Sequence, residues 1–252
     1  TSEVVINPSY TKILLWKTCI AAVGNKVPIV AAIASLSTAD EVAHAKAAEV
    51  AGCQGLMVLP PYVYRGDWRE MKYHIAEIIK ATSLSCMLYN NPVAYGTDFL
   101  PKQIAELAEE FPNLHAVKES STDVRRVTAI RALIGDKLAI LVGVDDAIVE
   151  GINAGATGWV AGLVSAFPKE SVDLFNYAMN GEKDKAFELY RWFLPLLRLD
   201  TVPKFVQLIK LVQEKIGMGS ARVRPPRLEL IGQELEETLA IIETALANPP
   251  NL

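Results

Sequence analysis

Short apolar runs recur along the chain, and stretches with a helical pattern separate them. The runs start about 20 to 30 residues apart. They cover residues 27–33, 55–59, 85–89, 114–118, 138–142 and 158–162. They are largely continuous apolar runs rather than alternating ones, which is typical of strands buried on both faces of a parallel sheet. The pattern therefore predicts an α/β fold, either a (β/α) barrel or a doubly wound sheet.

Helices are predicted between the runs and again after the last run. The intervening helices are expected at 38–50, 67–81, 100–110 and 124–134, and Ser37–Asp40 resembles a helix start. From Lys169 onward, successive helices are expected at 169–180, 183–199, 203–216 and 233–247. We expect one domain, in which residues 1–180 form the barrel portion and 181–252 form a helical region packed on it.

Composition narrows the class of protein. The 25 Lys and Arg residues and 29 Asp and Glu residues give a net charge of −4, so the overall field does not favour nucleic acid. Hydrophobic residues make up 51% and charged residues 21%, which excludes global disorder. The 3 cysteines are scattered, and no signal peptide, membrane span or metal-ligand spacing is visible. A reduced, cytoplasmic protein without a metal is expected.

Lys118 ends the fourth apolar run and is followed by Glu119. A lysine at the carboxyl end of a buried parallel strand points into the mouth of a barrel, where such enzymes keep their catalytic groups. Burial favours the neutral amine, which attacks carbonyl groups. The alternative is a lysine that pairs with Glu119 or reaches solvent.

Tyr89 ends the preceding run and precedes Asn90-Asn91-Pro92. Consecutive strands are usually neighbours, so Tyr89 and Lys118 are expected at one rim. A phenol beside an amine can carry protons during imine chemistry. The alternative is a core tyrosine whose hydroxyl bonds to the backbone.

Two further segments carry candidate residues. Gly143-Val144-Asp145-Asp146 follows the fifth run, and its two carboxylates could form an acid/base pair or cap the next helix. Tyr62-Val63-Tyr64 could line a pocket, form an oligomer contact or be a plain loop.

Together these residues resemble the dihydrodipicolinate synthase / N-acetylneuraminate lyase family. The resemblance is carried by Tyr89-Asn-Asn-Pro92, by Lys118-Glu-Ser-Ser121, and by Leu59-Pro-Pro-Tyr62. Residues 143–146 followed by Gly155-Ala-Thr-Gly158 fit the family's seventh and eighth strands, and 203–204 and 222–227 fit its C-terminal helices. The likeness covers roughly residues 12–247, and the ordered set of motifs is more specific than any one of them.

The resemblance implies a (β/α)8 barrel that assembles as a homo-oligomer, a dimer or tetramer. It implies a Schiff base between Lys118 and pyruvate or another 2-oxo acid, with Tyr89 in proton relay. It places Gly143, Asp145 and Val160 at the substrate and implies no metal or organic cofactor. No nucleic-acid or membrane partner is expected.

Three departures from the family pattern change this expectation. The family's Gly-Thr-Thr-Gly-Glu segment, which holds the substrate carboxylate, has no match here. The first βαβ unit is therefore expected to be absent or shortened, leaving six clear strands and Val4–Ile6 as a candidate seventh. Dihydrodipicolinate synthases proper place an arginine where Ala94 stands, and alanine cannot make that bidentate contact. The second tyrosine of the Pro-Tyr-Tyr element falls on Val63, so the relay across the dimer is not implied.

The leading hypothesis is a 2-oxo acid lyase or synthase that works by aldol cleavage, dehydration or deamination. Dihydrodipicolinate synthase activity proper is disfavoured. The alternative is a catalytically inactive paralogue or fragment that keeps the scaffold and its assembly surface.

Overall fold

The computed structural model describes residues 9–24 and 26–250, and the chain divides into two units, 1–141 and 142–252. The first unit alternates helices and strands. Its elements are α1 (Ser9–Val23), β1 (Val30–Ile33), α2 (Thr38–Ala51), β2 (Gly55–Val58), α3 (Trp68–Lys80), β3 (Ser85–Asn90), α4 (Pro92–Tyr95), α5 (Pro101–Glu110), β4 (Leu114–Glu119), α6 (Arg125–Ile134) and β5 (Ala139–Val142), whose last residue opens the second unit.

The strands of the first unit lie in the sheet in their order along the chain. Strands β1 to β4 are parallel, with Ala32 opposite Met57, Met57 opposite Met87, and Tyr89 opposite Lys118. Register partners in a parallel sheet present their side chains on the same face. The pairing therefore fixes which residues share the face that carries Lys118.

Both faces of this sheet are buried, which explains the continuous apolar runs. One face carries fully buried aliphatic side chains: Ile33, Leu56, Val58, Leu88 and Val117. The alternating positions on the other face include a buried cluster of Ala34, Met57, Leu59 and Tyr89. Each large side chain buried in this way contributes about 1.5–3 kcal/mol to folding.

Local signals set the helix starts. The Ser37 side chain accepts a hydrogen bond from the Asp40 backbone at the start of α2, as the sequence predicts. Asp67 and Glu70 form a capping box at the start of α3, in which each side chain bonds the other residue's backbone N–H. These caps satisfy N–H groups that have no partner inside the helix.

The second unit is mainly helical. Its elements after β5 are α7 (Ile148–Asn153), β6 (Gly158–Trp159), α8 (Pro168–Met179), α9 (Lys183–Leu197), α10 (Phe205–Lys215) and α11 (Gly232–Ala247). The Val160 backbone N–H donates to the Val142 oxygen at 2.9 Å, beside β6. Phe193 is fully buried and packs edge-on against Phe167.

The α/β fold and all six predicted strands are confirmed, and the predicted helices agree with those found to within a few residues. The short helices α4 and α7 were not predicted. The candidate seventh strand, Val4–Ile6, lies outside the described residues, and the predicted boundary between residues 180 and 181 remains a prediction. Within 9–24 and 26–250, no helix is long and apolar enough to cross a membrane.

Candidate active site at the carboxyl ends of β3 and β4

Lys118 and Tyr89 are brought together, as the sequence predicts. They face each other in register at the ends of β4 and β3, and each is only 4% exposed. The Lys118 Nζ atom lies over the Tyr89 ring, 4.2 Å from its centroid. Lys118 makes no hydrogen bond or ion pair with any residue in the described part of the chain, so the amine is held by packing against the Tyr89 ring.

Asn91 holds the hydroxyl of Tyr89. Its Nδ2 donates to the Tyr89 Oη at 2.9 Å, while its Oδ1 accepts from the Ala94 backbone at 3.0 Å and caps α4. This hydrogen bond from the Asn91 side-chain amide fixes the orientation of the phenol. It uses the Oη atom as an acceptor and so leaves the O–H group of Tyr89 free to donate. This is the arrangement that proton transfer to a bound substrate needs.

Two more tyrosines extend this aromatic group. The Tyr95 ring packs edge-on against Tyr89, with 5.7 Å between centroids, and lies 6.1 Å from the Tyr62 ring. Burial raises the pKa of Tyr95 and of Tyr62, so both phenols stay protonated at neutral pH. The sequence left three alternatives for Tyr62, namely a pocket lining, an oligomer contact or a plain loop. The packing of its ring beside Tyr95 favours the first of these.

The opposite face of the same strand ends carries a buried polar network. Asn90 Nδ2 donates to Glu119 Oε2 at 3.0 Å, and Asn90 Oδ1 accepts from the Phe99 backbone at 2.9 Å. Glu119 also accepts from the Ser121 backbone at 2.6 Å. Burial raises the pKa of Glu119, and these two donors oppose that effect. Glu119 is thus bonded to these groups rather than to Lys118, and it fixes the strand ends that carry Tyr89 and Lys118.

The loop after β4 has two features that the sequence did not reveal. Ser120 is 2% exposed, and its Oγ has no hydrogen-bond partner in the described part of the structure. It follows the last residue of β4, and its backbone N–H donates to the Asn90 oxygen at 2.8 Å. Thr122 has a φ of +68°, a strained conformation for a β-branched residue. Strain of this kind is often kept next to functional sites.

A second group of buried titratable residues lies at the carboxyl end of β1. Lys12 Nζ donates to the Ala34 oxygen at 2.7 Å. Glu41 is fully buried, accepts from the Ser35 backbone at 2.9 Å, and lies 3.5 Å from His74 Nε2. Burial raises the pKa of Glu41 and lowers that of Lys12.

Gly143, Asp145 and Val160, which the resemblance places at the substrate, belong to the second unit. Asp145 and Val160 make hydrogen bonds with other residues of that unit. The Asp145 carboxylate is fully buried and accepts from the backbone of Gly162 at 3.0 Å and of Leu163 at 2.8 Å. It therefore anchors the turn after β6 rather than capping the helix that follows it. Gly143 follows β5, and the Val160 N–H is bonded to Val142. Their roles in substrate binding remain predictions.

Among residues 9–24 and 26–250, no group of three or more His, Cys, Asp or Glu side chains could hold a metal ion. The features that sequence reasoning missed are Asn91 as a partner of Tyr89, Tyr95, Ser120, and the Lys12–Glu41 group. Only Asn91 carried a signal, because Asn before Pro is a common helix cap.

Comparison with known proteins shows which family this chain belongs to. The profile of the dihydrodipicolinate synthetase family matches residues 7–245. The 4-hydroxy-tetrahydrodipicolinate synthase of Caldicellulosiruptor bescii is 31% identical over 227 residues, which cover 90% of this chain and 75% of that protein.

Solved structures agree with this result. The 4-hydroxy-tetrahydrodipicolinate synthase from Methylacidiphilum fumariolicum SolV superimposes with a TM-score of 0.87 at 28% identity, over 94% of this chain and 80% of that one. The dihydrodipicolinate synthase from Aquifex aeolicus, at 19% identity, shares the fold with a TM-score of 0.90 over 98% of this chain and 84% of that one. The expected barrel-type fold is confirmed, and the chain belongs to the dihydrodipicolinate synthetase family.

Proposed function

We propose that this chain is a lyase or synthase that binds pyruvate or another 2-oxo acid as a Schiff base on Lys118. The observation that carries the proposal is the buried pair of Lys118 and Tyr89, an amine 4.2 Å from a phenol ring whose hydroxyl is oriented by Asn91. Family membership supports it, since the relatives named above are synthases.

The chemistry follows from the two groups. The neutral Lys118 amine attacks the ketone carbon, and the carbinolamine then loses water to give an imine. Tyr89 donates the proton that the departing water takes up and receives one in the reverse step. The protonated imine withdraws electrons from the neighbouring carbon, so that a C–C bond can form or break there, or a β-substituent can leave as water or an amine. Aldol cleavage, dehydration and deamination are thus the candidate reactions.

The reaction of the named relatives is not the one that we favour. Ala94 lies exposed in α4, at the position where the resemblance calls for an arginine. An alanine cannot hold the carboxylate of aspartate semialdehyde. We expect the chain to take up pyruvate without condensing it with that aldehyde.

Borohydride trapping tests the proposal. The chain is incubated with pyruvate, reduced, and analysed by intact mass and peptide mapping. One reduced pyruvate on Lys118 is expected, with the same adduct in Lys102→Ala, an exposed lysine in α5, and none in Lys118→Ala. A folded wild-type sample without an adduct would favour the alternative, an inactive paralogue that keeps the scaffold.

We also propose that the chain forms a homo-oligomer, a dimer or tetramer. Leu36, Val63, Tyr64 and Tyr73 are exposed side chains that line one cavity of about 450 Å³ in the first unit. Apolar side chains gathered in this way often mark a protein interface. Sedimentation velocity should give a dimer or tetramer, and a monomer at micromolar concentration would contradict the proposal.

A further inference from the structure

The face of the Tyr89 ring, rather than its hydroxyl, lies against the amine of Lys118. The Nζ atom lies over the ring at 4.2 Å from its centroid, and both residues are only 4% exposed. A cation within about 6 Å of a ring centroid is attracted by the negative face of the π system. The attraction is stronger at a buried position, because little water is present to screen it.

Several contacts hold the ring in this position. Tyr89 and Lys118 are register partners on β3 and β4. Asn91 Nδ2 donates to the Tyr89 Oη at 2.9 Å, and the Tyr95 ring packs against the Tyr89 ring with 5.7 Å between centroids. Tyr89 also belongs to the buried cluster that includes Leu59. The ring face under Nζ is therefore fixed before a substrate binds.

Within the described ranges, no carboxylate pairs with this amine in place of the ring. Glu119, the next residue along β4, accepts from Asn90 Nδ2 at 3.0 Å and from the Ser121 backbone at 2.6 Å. A carboxylate beside Nζ would stabilise a positive charge there, but it would also repel the carboxylate of a 2-oxo acid. A neutral ring stabilises the positive charge and carries no net charge that repels the substrate.

We infer that the face of the Tyr89 ring stabilises the positive charge of the protonated imine on Lys118, so that Tyr89 acts through its ring as well as through its hydroxyl. The inference rests on the proposed function, because it takes Lys118 as the point of attachment. The imine nitrogen is the same Nζ atom that lies over the ring. The protonated imine is the form that withdraws electrons from the neighbouring carbon, so the ring favours the reactive form.

A series of rings at position 89 tests this role. Tyr89→Phe removes the hydroxyl and keeps the ring, and mono-, tri- and pentafluorophenylalanine at the same position weaken the negative face in steps with little change of shape. Each folded variant is saturated with pyruvate that carries carbon-13 at the ketone carbon. The pH dependence of the chemical shift of the imine carbon then gives the protonation constant of the imine. All members are compared with Tyr89→Phe, so the slower imine formation that follows from loss of the hydroxyl does not enter the comparison.

The protonation constant should fall in steps along the series, by about tenfold between Tyr89→Phe and the pentafluorinated ring. A ring that only fills space would give one constant for every ring that fits. Phe111 provides the matched control, because its ring lies 5.6 Å from the Nζ atom of another lysine, Lys80. The same fluorination of Phe111 should leave the constant unchanged. The mono- and trifluorinated rings carry the test alone if the pentafluorinated variant does not fold.

Borohydride trapping of the same samples separates the inference from the proposed function. If every variant forms an adduct on Lys118 and the protonation constant is the same throughout the series, the Schiff base stands and the role of the ring face is overturned. A graded fall that also appears when Phe111 is fluorinated overturns it as well. A folded wild-type chain that forms no adduct with pyruvate overturns the Schiff base and the role of the ring together.

Discussion

The ε-amine of Lys118 lies over the ring of Tyr89, and the two residues are register partners on neighbouring strands. Their contact is therefore set by the hydrogen-bonded sheet rather than by a loop. A rigid element can hold a nucleophile and a proton carrier within the narrow geometry that catalysis requires. The buried network of Asn90 and Glu119 on the opposite face keeps the same two strand ends together.

Asn91→Asp should slow imine formation without unfolding the chain. Aspartate keeps the oxygen that caps α4 but has no N–H group to donate. The Tyr89 hydroxyl must then donate to the new carboxylate, so its proton is less available to the substrate. We expect the rate of borohydride trapping with pyruvate to fall about 10- to 100-fold. The free energy of unfolding, measured in urea, should change by less than about 0.5 kcal/mol.

Two further variants separate the roles of Asn91. Asn91→Ala removes the cap as well and should cost about 1 kcal/mol of stability. Tyr89→Phe should reproduce the loss of rate while keeping the cap. Trapping at the wild-type rate in Asn91→Asp would show that this amide has no part in proton transfer.

Glu41→Gln should flatten the dependence of stability on pH. Burial raises the pKa of Glu41 above its ordinary value, so the folded chain holds that proton more tightly than the unfolded chain does. The wild type therefore loses stability as the pH rises from about 4.5 through the raised pKa, whereas glutamine has no proton to lose. The free energy of unfolding of the variant should therefore rise relative to that of the wild type between pH 4 and pH 8.

Urea unfolding at several pH values measures this difference. Glu109→Gln, an exposed position in α5, should follow the wild-type curve at every pH. A gap between Glu41→Gln and wild type that stays constant with pH would contradict a raised pKa.

Thr122→Gly should stabilise the chain. Thr122 holds a φ of +68°, where its branched side chain crowds the backbone and glycine does not. Relief of that strain outweighs the greater freedom of glycine in the unfolded chain, so the free energy of unfolding should rise by about 0.5–1 kcal/mol. Thermal unfolding followed by circular dichroism measures it, and a lower midpoint would argue against the left-handed conformation.

Asp145→Asn should lower stability rather than act on the substrate alone. Both oxygens of the Asp145 carboxylate accept N–H groups from Gly162 and Leu163 in a buried setting, whereas asparagine has one accepting oxygen and places a donor NH2 against the other N–H. We expect a loss of about 2–3 kcal/mol in urea unfolding. Asp184→Asn, exposed in the first turn of α9, should change it by about 0.5 kcal/mol or less. Weaker pyruvate binding in Asp145→Asn at wild-type stability would instead support the role in substrate binding.

Patterns within short windows predicted most of the secondary structure. The continuous apolar runs predicted the strands because both faces of the sheet are buried, and Ser37 marked the start of α2 because its side chain caps that helix. The helix α4 was missed because four residues carry no periodicity, although Asn91 and Pro92 are typical of a helix start.

The sequence by itself determined the α/β alternation, the family resemblance, and the placing of Tyr89 and Lys118 at the ends of successive strands. These follow from local hydrophobic periodicity and from the regular geometry of parallel strands. Only the tertiary structure decided that Lys12 bonds to Ala34, that Glu41 lies against His74, and that Arg65 packs on Gly96. Those contacts join residues about 20 to 35 positions apart, and a local pattern does not specify which side chains meet when helices and loops pack on a sheet.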